Sequence, residues 1–189
     1  IIAYLLGSVN FGIILSGHLF GDDVRSHGSG NAGTTNMLRT YGKKAAVLTL
    51  AGDVLKSVVA VMIARLVLGS TCGYVAGLFA VLGHAFPIFY GFKGGKGVAA
   101  TLGVALALNW AVALILSGVF LLLVASTKFV SLGSIIAAAF FPIVTDRMKG
   151  LVIPGAGQVP MIAPLITFLI AALVIWLHRS NLKRLFAGT

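Results

Sequence analysis

The chain contains 189 residues, of which 59% are hydrophobic and only 10% are charged, and its mean hydropathy is +1.06. Because soluble domains carry about 25% charged residues, this composition excludes a soluble enzyme, a disordered tail and a disulfide-stabilised scaffold, and an integral membrane protein remains. Fourteen lysines and arginines accompany only four acidic residues, which gives a net charge of +10. Such an excess is typical of proteins that contact an anionic partner, and the positions of the basic residues indicate which one.

Apolar segments of about the length that a spanning helix needs, roughly 20 residues, recur along the chain. A signal peptide is the alternative for the first of them, but that segment contains no Ala-x-Ala cleavage pattern. We therefore predict that it is the first span. The predicted spans cover residues 1–20, 45–68, 74–90, 98–127, 129–145 and 159–177.

The uncharged segment 98–127 is long for one upright helix, because at about 1.5 Å per residue it would extend about 45 Å against a hydrocarbon core of about 30 Å. It forms either one tilted helix or a hairpin that turns near Asn109 and Trp110. Cytoplasmic ends of spans are enriched in lysine and arginine. A hairpin places ten of the 14 basic residues on one side and three on the other, with Lys56 inside a span, whereas a single helix gives eight against five.

The hairpin fits the charge bias better. The sequence therefore predicts an all-α integral membrane protein that forms one polytopic domain over residues 1–189. It has seven transmembrane helices, an N-terminus outside the cell and a cytoplasmic C-terminus, and polar, glycine-rich loops on the cytoplasmic side.

Three polar segments share this predicted cytoplasmic side, namely 25–39, 91–97 and 178–184. The first contains Gly-x-Gly-x-x-Gly at 28–33, the spacing of a dinucleotide-binding fingerprint, but it follows a membrane span rather than a strand. Its glycine, asparagine and threonine residues can instead present backbone amides and hydroxyls to a phosphate or a carboxylate. A flexible loop without a ligand is the alternative.

The second segment carries Lys93 and Lys96 on either side of Gly94 and Gly95, just before a helix predicted to begin at about Val98. A helix N-terminus beside two lysines attracts an anion through the helix dipole and through the charges. The glycines let the backbone approach a ligand closely. Lysines that only orient the chain in the membrane are the alternative, which leaves the glycines without a role.

The third segment places His178 and Asn181 on one helix face, three residues apart. Ser134 lies near the start of a span that can face them. The basic residues around them, Arg184 included, are expected to lie at the level of the lipid headgroups.

Two charges interrupt an apolar span: Asp53 and Lys56 are three residues apart, so we expect them to form an ion pair inside the membrane. His84 is expected to be a structural hydrogen-bonding group. The histidines and aspartates do not cluster as metal ligands do, and the chain contains no Gly-x-Ser-x-Gly nucleophile motif. His18 and Asp23 match a spacing used by a large class of glycerolipid acyltransferases, but His18 lies in the first span without the residues that surround it in that class.

Three blocks of the sequence resemble motifs of the bacterial acyl-phosphate:glycerol-3-phosphate acyltransferase family, the PlsY type. They read SGNAGTTNMLR at 29–39, GHAFPIFYGFKGGKGVA at 83–99 and HRSN at 178–181. With weaker similarities they cover nearly the whole chain in order. The chain departs from the family pattern at Thr34, Ser57 and Ala100, where alanine, glycine and threonine are typical.

The resemblance implies a seven-span enzyme that transfers a fatty acyl group from acyl phosphate to the 1-hydroxyl of glycerol 3-phosphate, giving lysophosphatidic acid and phosphate. It implies no cofactor, no metal, no nucleic acid and no obligate protein partner. The enzyme would lie among the lipids of the bacterial inner membrane, with its active site facing the cytoplasm.

Together with the residue chemistry, the resemblance indicates Lys96, Arg39 and His178 as catalytic residues. The indicated substrate-binding residues are Ser29, Gly30, Asn31, Gly33, Thr35, Asn36, Lys93, Gly94, Gly95, Ser134 and Asn181. The three segments contain no carboxylate, so the general base is either His178 or a phosphate oxygen of the substrate.

A membrane transporter or channel for a phosphorylated solute is the alternative function, because it would also use basic, glycine-rich loops. The absence of an internal repeat and the position of all three polar segments on one side count against it. A purely structural membrane protein would leave the loop of glycines and lysines unexplained.

Overall fold

Every regular element in residues 1–187, the part of the chain that the computed structural model describes, is helical. Two short 3-10 turns, Val24–Ser26 and Ile88–Tyr90, lie in the connections. The helices are α1 (Ile2–Ser8), α2 (Phe11–Phe20), α3 (Thr34–Leu68), α4 (Ser70–Ala85), α5 (Val98–Leu108), α6 (Trp110–Thr127), α7 (Val130–Arg147), α8 (Ala163–Leu177) and α9 (Arg179–Phe186).

Five helical stretches in these residues are long and apolar enough to cross a membrane, which confirms a multi-pass α-helical protein. They are Ile2–Phe20, Thr34–Leu68, Ser70–Tyr90, Trp110–Thr127 and Val130–Arg147. A sixth results if α8 and α9, which meet at an angle of 58°, count as one span. The apolar α5 has only 11 residues, which correspond to about 16 Å of helix against a hydrocarbon core of about 30 Å.

The long apolar segment 98–127 is divided at Asn109, where α5 ends and α6 begins. The side chain of Asn109 accepts hydrogen bonds from the backbone N–H groups of Ala111 (3.1 Å) and Val112 (3.4 Å). It thereby caps α6 at the position where asparagine is strongly preferred. The break lies where the sequence predicts a turn.

The polar segment before the second span is more helical than the sequence indicates. α3 begins at Thr34, so Arg39 lies on a helix instead of in a loop. Met37, which has no exposed surface, anchors this first part of α3 in a small core of its own. Gly42 then interrupts the helical backbone with a φ of +84°, a conformation that glycine adopts without steric cost. The apolar part of α3 follows from Lys43 onward.

Small residues let the helices approach one another closely, as is usual in membrane proteins. Gly7 of α1 lies against the backbone of Ala80 in α4, and Gly83 of α4 lies against the backbone of α1. Gly103 of α5 lies in the same way against the carbonyl of Val54 in α3. A core of buried apolar side chains joins α3 to α8. Many of the large apolar side chains that remain exposed belong to α3, α6 and α8, as expected for helices that face lipid.

Candidate active site

A cavity of about 640 Å³ opens between α3, α5, α6, α7 and the junction of α8 and α9. Most of its polar side chains come from the loops before α3 and α5, from the starts of α3, α5 and α7, from the end of α6, and from α9 and its junction with α8. Away from these segments its walls are mostly apolar, with Asp53, His84 and Ser117 as the exceptions, and the apolar residues are Leu50, Leu102, Ala105, Ala113, Leu116, Phe120, Leu121, Ala137 and Ala138. The cavity therefore combines a polar mouth with an apolar interior, at a volume that suits a small-molecule ligand.

Four cations line the cavity, and three of them, Arg39, Lys96 and Arg184, lie near one another at the polar mouth; the fourth is Lys128. Burial is the main cause that lowers the pKa of Lys96, and the nearby charges of Arg184 and Arg39 lower it further. In residues 1–187 none of the three forms an ion pair with a carboxylate. The Lys96 Nζ donates a hydrogen bond to the Oδ1 of Asn181. Such a group of cations favours a ligand with more than one negative charge.

The first turn of α3 adds hydrogen-bond donors to this mouth. Gly33 precedes the helix, and its N–H donates to the Oδ1 of Asn31 (3.0 Å). The N–H groups of Thr34 and Thr35 follow, where a helix leaves its donors without intrahelical partners. The residues of this loop and turn that line the cavity are Ser29, Asn31, Gly33, Thr34, Thr35 and Asn36.

Asn36 shapes this loop from inside. Its Oδ1 accepts from the N–H of Ser29 (2.9 Å), and its Nδ2 donates to the carbonyls of Val24 (2.9 Å) and His27 (3.0 Å). The side chain is buried, and both its amide nitrogen and its oxygen form their hydrogen bonds with the backbone of the loop itself. Asn36 therefore holds Ser29 in place rather than offering its amide to a ligand.

His178, at the junction of α8 and α9, is buried and lines the cavity. Its Nδ1 donates to the carbonyl of Val174 (2.7 Å), which leaves Nε2 as the nitrogen that can accept a proton. Burial is the main cause that lowers the pKa of His178; the bond to Val174 opposes this, and the charge of Lys96 reinforces it. A neutral imidazole with a free Nε2 lies beside the cations, together with Ser134 and Asn181, which also line the cavity.

Two of the predicted binding residues lie on a neighbouring pocket instead. Gly30 and Lys93 line an open pocket of about 660 Å³, whose other lining residues include Arg25. Arg25 donates from Nη1 to the carbonyls of Tyr90 (2.8 Å) and Lys93 (3.1 Å), so it ties the two polar loops together.

The structure corrects the prediction for Gly94 and Gly95. Their N–H groups donate to the carbonyls of Ala85 (3.2 Å) and His84 (3.1 Å), so these amides are not available to a ligand. The glycines are needed for packing, because a methyl group on either of them would overlap His84. They hold the loop against α4 rather than cradling a phosphate.

The cavity also contains polar residues that the sequence did not assign to a site, namely Thr34, Asp53, His84, Thr101, Ser117, Lys128, Ser131 and Arg184. Asp53 carried a signal, because a charge inside an apolar span indicates function by default. Arg184 carried one too: it lies three residues after Asn181 on α9, and residues at that spacing share a helix face.

The fold and the site define an integral membrane protein with a group of cations at the mouth of an apolar cavity. The family model described as "Glycerol-3-phosphate acyltransferase" matches residues 1–188. The glycerol-3-phosphate acyltransferase of Clostridioides difficile (strain 630) is 45% identical over 195 residues, which cover 100% of this chain and 91% of the relative. That of Trichlorobacter lovleyi is 48% identical over 188 residues, which cover 99% and 92%.

Two crystal structures of PlsY (YgiH), an integral membrane glycerol 3-phosphate acyltransferase, match the whole fold. The glycerol 3-phosphate form has a TM-score of 0.89 and 40% identity and covers 98% of this chain and 89% of that one. The lysophosphatidic acid form has a TM-score of 0.87 and 37% identity, with 99% and 89% covered. The chain therefore belongs to the glycerol-3-phosphate acyltransferase family, and it is a membrane acyltransferase.

Proposed function

We propose that the protein transfers a fatty acyl group from acyl phosphate to the 1-hydroxyl of glycerol 3-phosphate and releases lysophosphatidic acid and inorganic phosphate. The observation that carries the proposal is the meeting of Arg39, Lys96 and Arg184 at the mouth of an apolar cavity. Both substrates carry a phosphate, and only the acyl donor carries a fatty chain. The mouth suits the phosphates, and the apolar walls suit the chain.

The proposed roles follow from position. Lys96 and Arg39 neutralise the substrate phosphates, and Arg184 adds to the same positive potential. Ser29, Asn31, Gly33 and Thr35 hold the phosphate of the acyl donor at the start of α3, where free N–H groups and the helix dipole favour an anion. The glycerol 3-phosphate is held by Ser134, His178 and Asn181, which line the cavity from α7 and from α9 and its junction with α8.

The reaction needs no protein nucleophile, because acyl phosphate is already an activated mixed anhydride. The 1-hydroxyl oxygen attacks the acyl carbonyl carbon, a new ester C–O bond forms, and the C–O bond to phosphate breaks with its electron pair leaving on phosphate. The hydroxyl proton goes to the Nε2 of His178 or to a phosphate oxygen of the substrate. Positioning of the two substrates and stabilisation of the developing charge by the cations supply the acceleration.

The test uses protein purified in detergent with acyl phosphate and labelled glycerol 3-phosphate. We expect lysophosphatidic acid and phosphate in equal amounts, and no product when acyl-CoA replaces acyl phosphate. Lys96→Ala and Arg39→Ala are each expected to lower kcat/KM by about 100-fold or more, the loss that follows removal of an electrostatic stabiliser. Lys149→Ala, which lies past the far end of α7 beside Asp146, is the matched control and keeps normal activity.

Three results would contradict parts of this proposal. If no product forms from acyl phosphate, the proposal that acyl phosphate is the acyl donor is refuted. Near-normal turnover in both Lys96→Ala and Arg39→Ala refutes the phosphate-binding roles. Uptake of glycerol 3-phosphate into proteoliposomes without acylation would favour a transporter.

We also propose that the chain is a single polytopic domain of the bacterial inner membrane with seven spans, an outside N-terminus and a cytoplasmic active site. Cys72, at the start of α4, then faces the outside. A membrane-impermeant maleimide is expected to label Cys72 in intact cells. In a Cys72→Ser variant that carries Ser26→Cys, labelling is expected only after permeabilisation. The reverse pattern would invert the topology.

A further inference from the structure

A buried group of charged and polar side chains lies at the crossing of α1, α3 and α4. The Lys56 Nζ is 2.7 Å from the Oδ1 of Asp53, and it also donates to the Nδ1 of His84 (3.0 Å) and to the carbonyl of Val9 (2.6 Å). The N–H of Phe11 donates to the same Asp53 oxygen (3.4 Å). This cluster, Asp53–Lys56–His84, therefore links the break between α1 and α2 to α3 and α4.

Stability of the fold does not explain why the chain contains these buried charges. Replacement of a buried ion pair by apolar residues of similar size is often neutral or stabilising, and charges inside a span are costly. Asp53 is wholly buried, and Lys56 is 7% exposed. The cluster instead holds the side chains that it contacts in defined positions, and this consequence bears on the site.

The cluster continues directly into the loop that carries Lys96. A lysine ammonium only donates hydrogen bonds, so the Nδ1 of His84 accepts and Nε2 is the protonated nitrogen. That Nε2 faces Gly95 so closely that a methyl group on Gly95 would overlap it. The carbonyl of His84 also accepts from the N–H of Gly95 (3.1 Å). His84 thus fixes the backbone one residue before Lys96, from both its side chain and its main chain.

The other side of Lys96 is fixed by packing as well. Gly97 has a φ of +86°, and a methyl group there would lie 3.1 Å from Val81 of α4 and 3.3 Å from Val174 of α8. Lys96 is therefore held between two closely packed glycines. The ion pair holds the imidazole ring of His84 in position through Lys56, and that ring packs against Gly95, the nearer of these glycines.

We propose that Asp53, Lys56 and His84 are positioning residues for Lys96. The intramembrane ion pair acts on catalysis because it holds the glycine loop in the position at which the Lys96 ammonium contacts the substrate phosphate. This rests on the phosphate-binding role proposed for Lys96. A displacement of about 1 Å of a group that acts on the reacting atoms can cost about 100-fold in rate. Asp53 and His84 also line the cavity, but the proposed chemical step uses no residue of the cluster.

The decisive measurement is a double-mutant cycle with Lys96→Ala. Asp53→Asn combined with Lys56→Met removes both charges together, so no unpaired charge remains buried. We expect this paired variant to lower kcat/KM by about 10- to 100-fold when Lys96 is present. In the Lys96→Ala background the same change is expected to cost less than about twofold, since there is no ammonium left to position. A similar loss in both backgrounds overturns the inference, because a merely structural role acts regardless of Lys96.

A second variant keeps the test open if the paired variant does not fold. Gly95→Ala forces the loop away from His84 without touching a charge, and the same dependence on Lys96 is expected. Gly118→Ala is its control, because a methyl group at Gly118 of α6 meets no atom within 4 Å. Normal activity of Gly95→Ala, with a thermal midpoint equal to that of the control, would overturn the inference.

The two proposals fail in different ways. Full activity of Lys96→Ala alone refutes the phosphate-binding role of Lys96 and with it the positioning role. A large loss in Lys96→Ala, together with additive losses in the cycle, refutes only the positioning role.

Discussion

Replacement of Ala113 by leucine is expected to shorten the fatty chain that the enzyme accepts. Ala113 is 1% exposed, and of the α6 residues that line the cavity it lies furthest from Lys128 at the polar end. The separation is 15 residues, or about 22 Å along the helix axis. Ala113 therefore lines the part of the cavity that is far from the polar mouth, and a larger side chain there is expected to take the place of the end of the chain.

The magnitude follows from the carbon atoms displaced. Leucine adds about three carbons to alanine, and we take the acyl chain to lose contact over about three methylenes. At about 0.8 kcal/mol for each methylene this is about 2.4 kcal/mol, which corresponds to a loss of about 60-fold at about 1.36 kcal/mol for each factor of ten. The loss falls only on donors long enough to reach Ala113.

The assay compares kcat/KM for palmitoyl phosphate and octanoyl phosphate in Ala113→Leu and in the parent protein. We expect the long donor to lose about 60-fold and the short donor to change little. Ala111→Leu is the control, because Ala111 is on the same helix but does not line the cavity. Equal losses with both donors would refute the reasoning, since they would show a general packing defect instead of a shortened cavity.

Three further predictions concern the polar mouth. Burial and the charge of Lys96 lower the pKa of His178 below 6.5. Because a positive neighbour disfavours the imidazolium, NMR titration of Lys96→Gln is expected to show a higher pKa for His178. An unchanged pKa would contradict the electrostatic interaction between Lys96 and His178. Asn36→Ala removes three hydrogen bonds, each worth about 1 kcal/mol, so the thermal midpoint is expected to fall and KM to rise, whereas an effect on neither would mean that the loop is held by other contacts. The buried hydroxyl of Thr34 has no partner within residues 1–187, and its removal relieves a desolvation cost of about 1–3 kcal/mol. Thr34→Ala is therefore expected to raise the thermal midpoint. Thr34→Ser keeps the hydroxyl, so its thermal midpoint is expected to be lower than that of Thr34→Ala. A fall in the thermal midpoint of Thr34→Ala would show that the hydroxyl makes a stabilising hydrogen bond.

The sequence by itself determined the class of protein and much of the site. Hydropathy is a local property, so the apolar segments identify helices that cross a membrane without knowledge of their neighbours. The division of 98–127 at Asn109 was also predictable, because both the excess length and the capping residue are written locally. Of the site, Arg39, Lys96, His178 and Asn181 stand out as polar residues in segments that need no such groups, and the structure brings all four to one cavity.

Only the tertiary structure decided what each of the other groups contacts. Gly94 and Gly95 look like a ligand-binding loop in the sequence, but their amides are used by α4, which is a contact between segments that no local pattern encodes. Arg184 joins the cations because α8 and α9 meet at a bend of 58°. The ion pair of Asp53 and Lys56 was predictable from its spacing, whereas its connection through His84 to the loop of Lys96 was not. Such links depend on how separate helices pack, and packing is a property of the whole chain rather than of any segment.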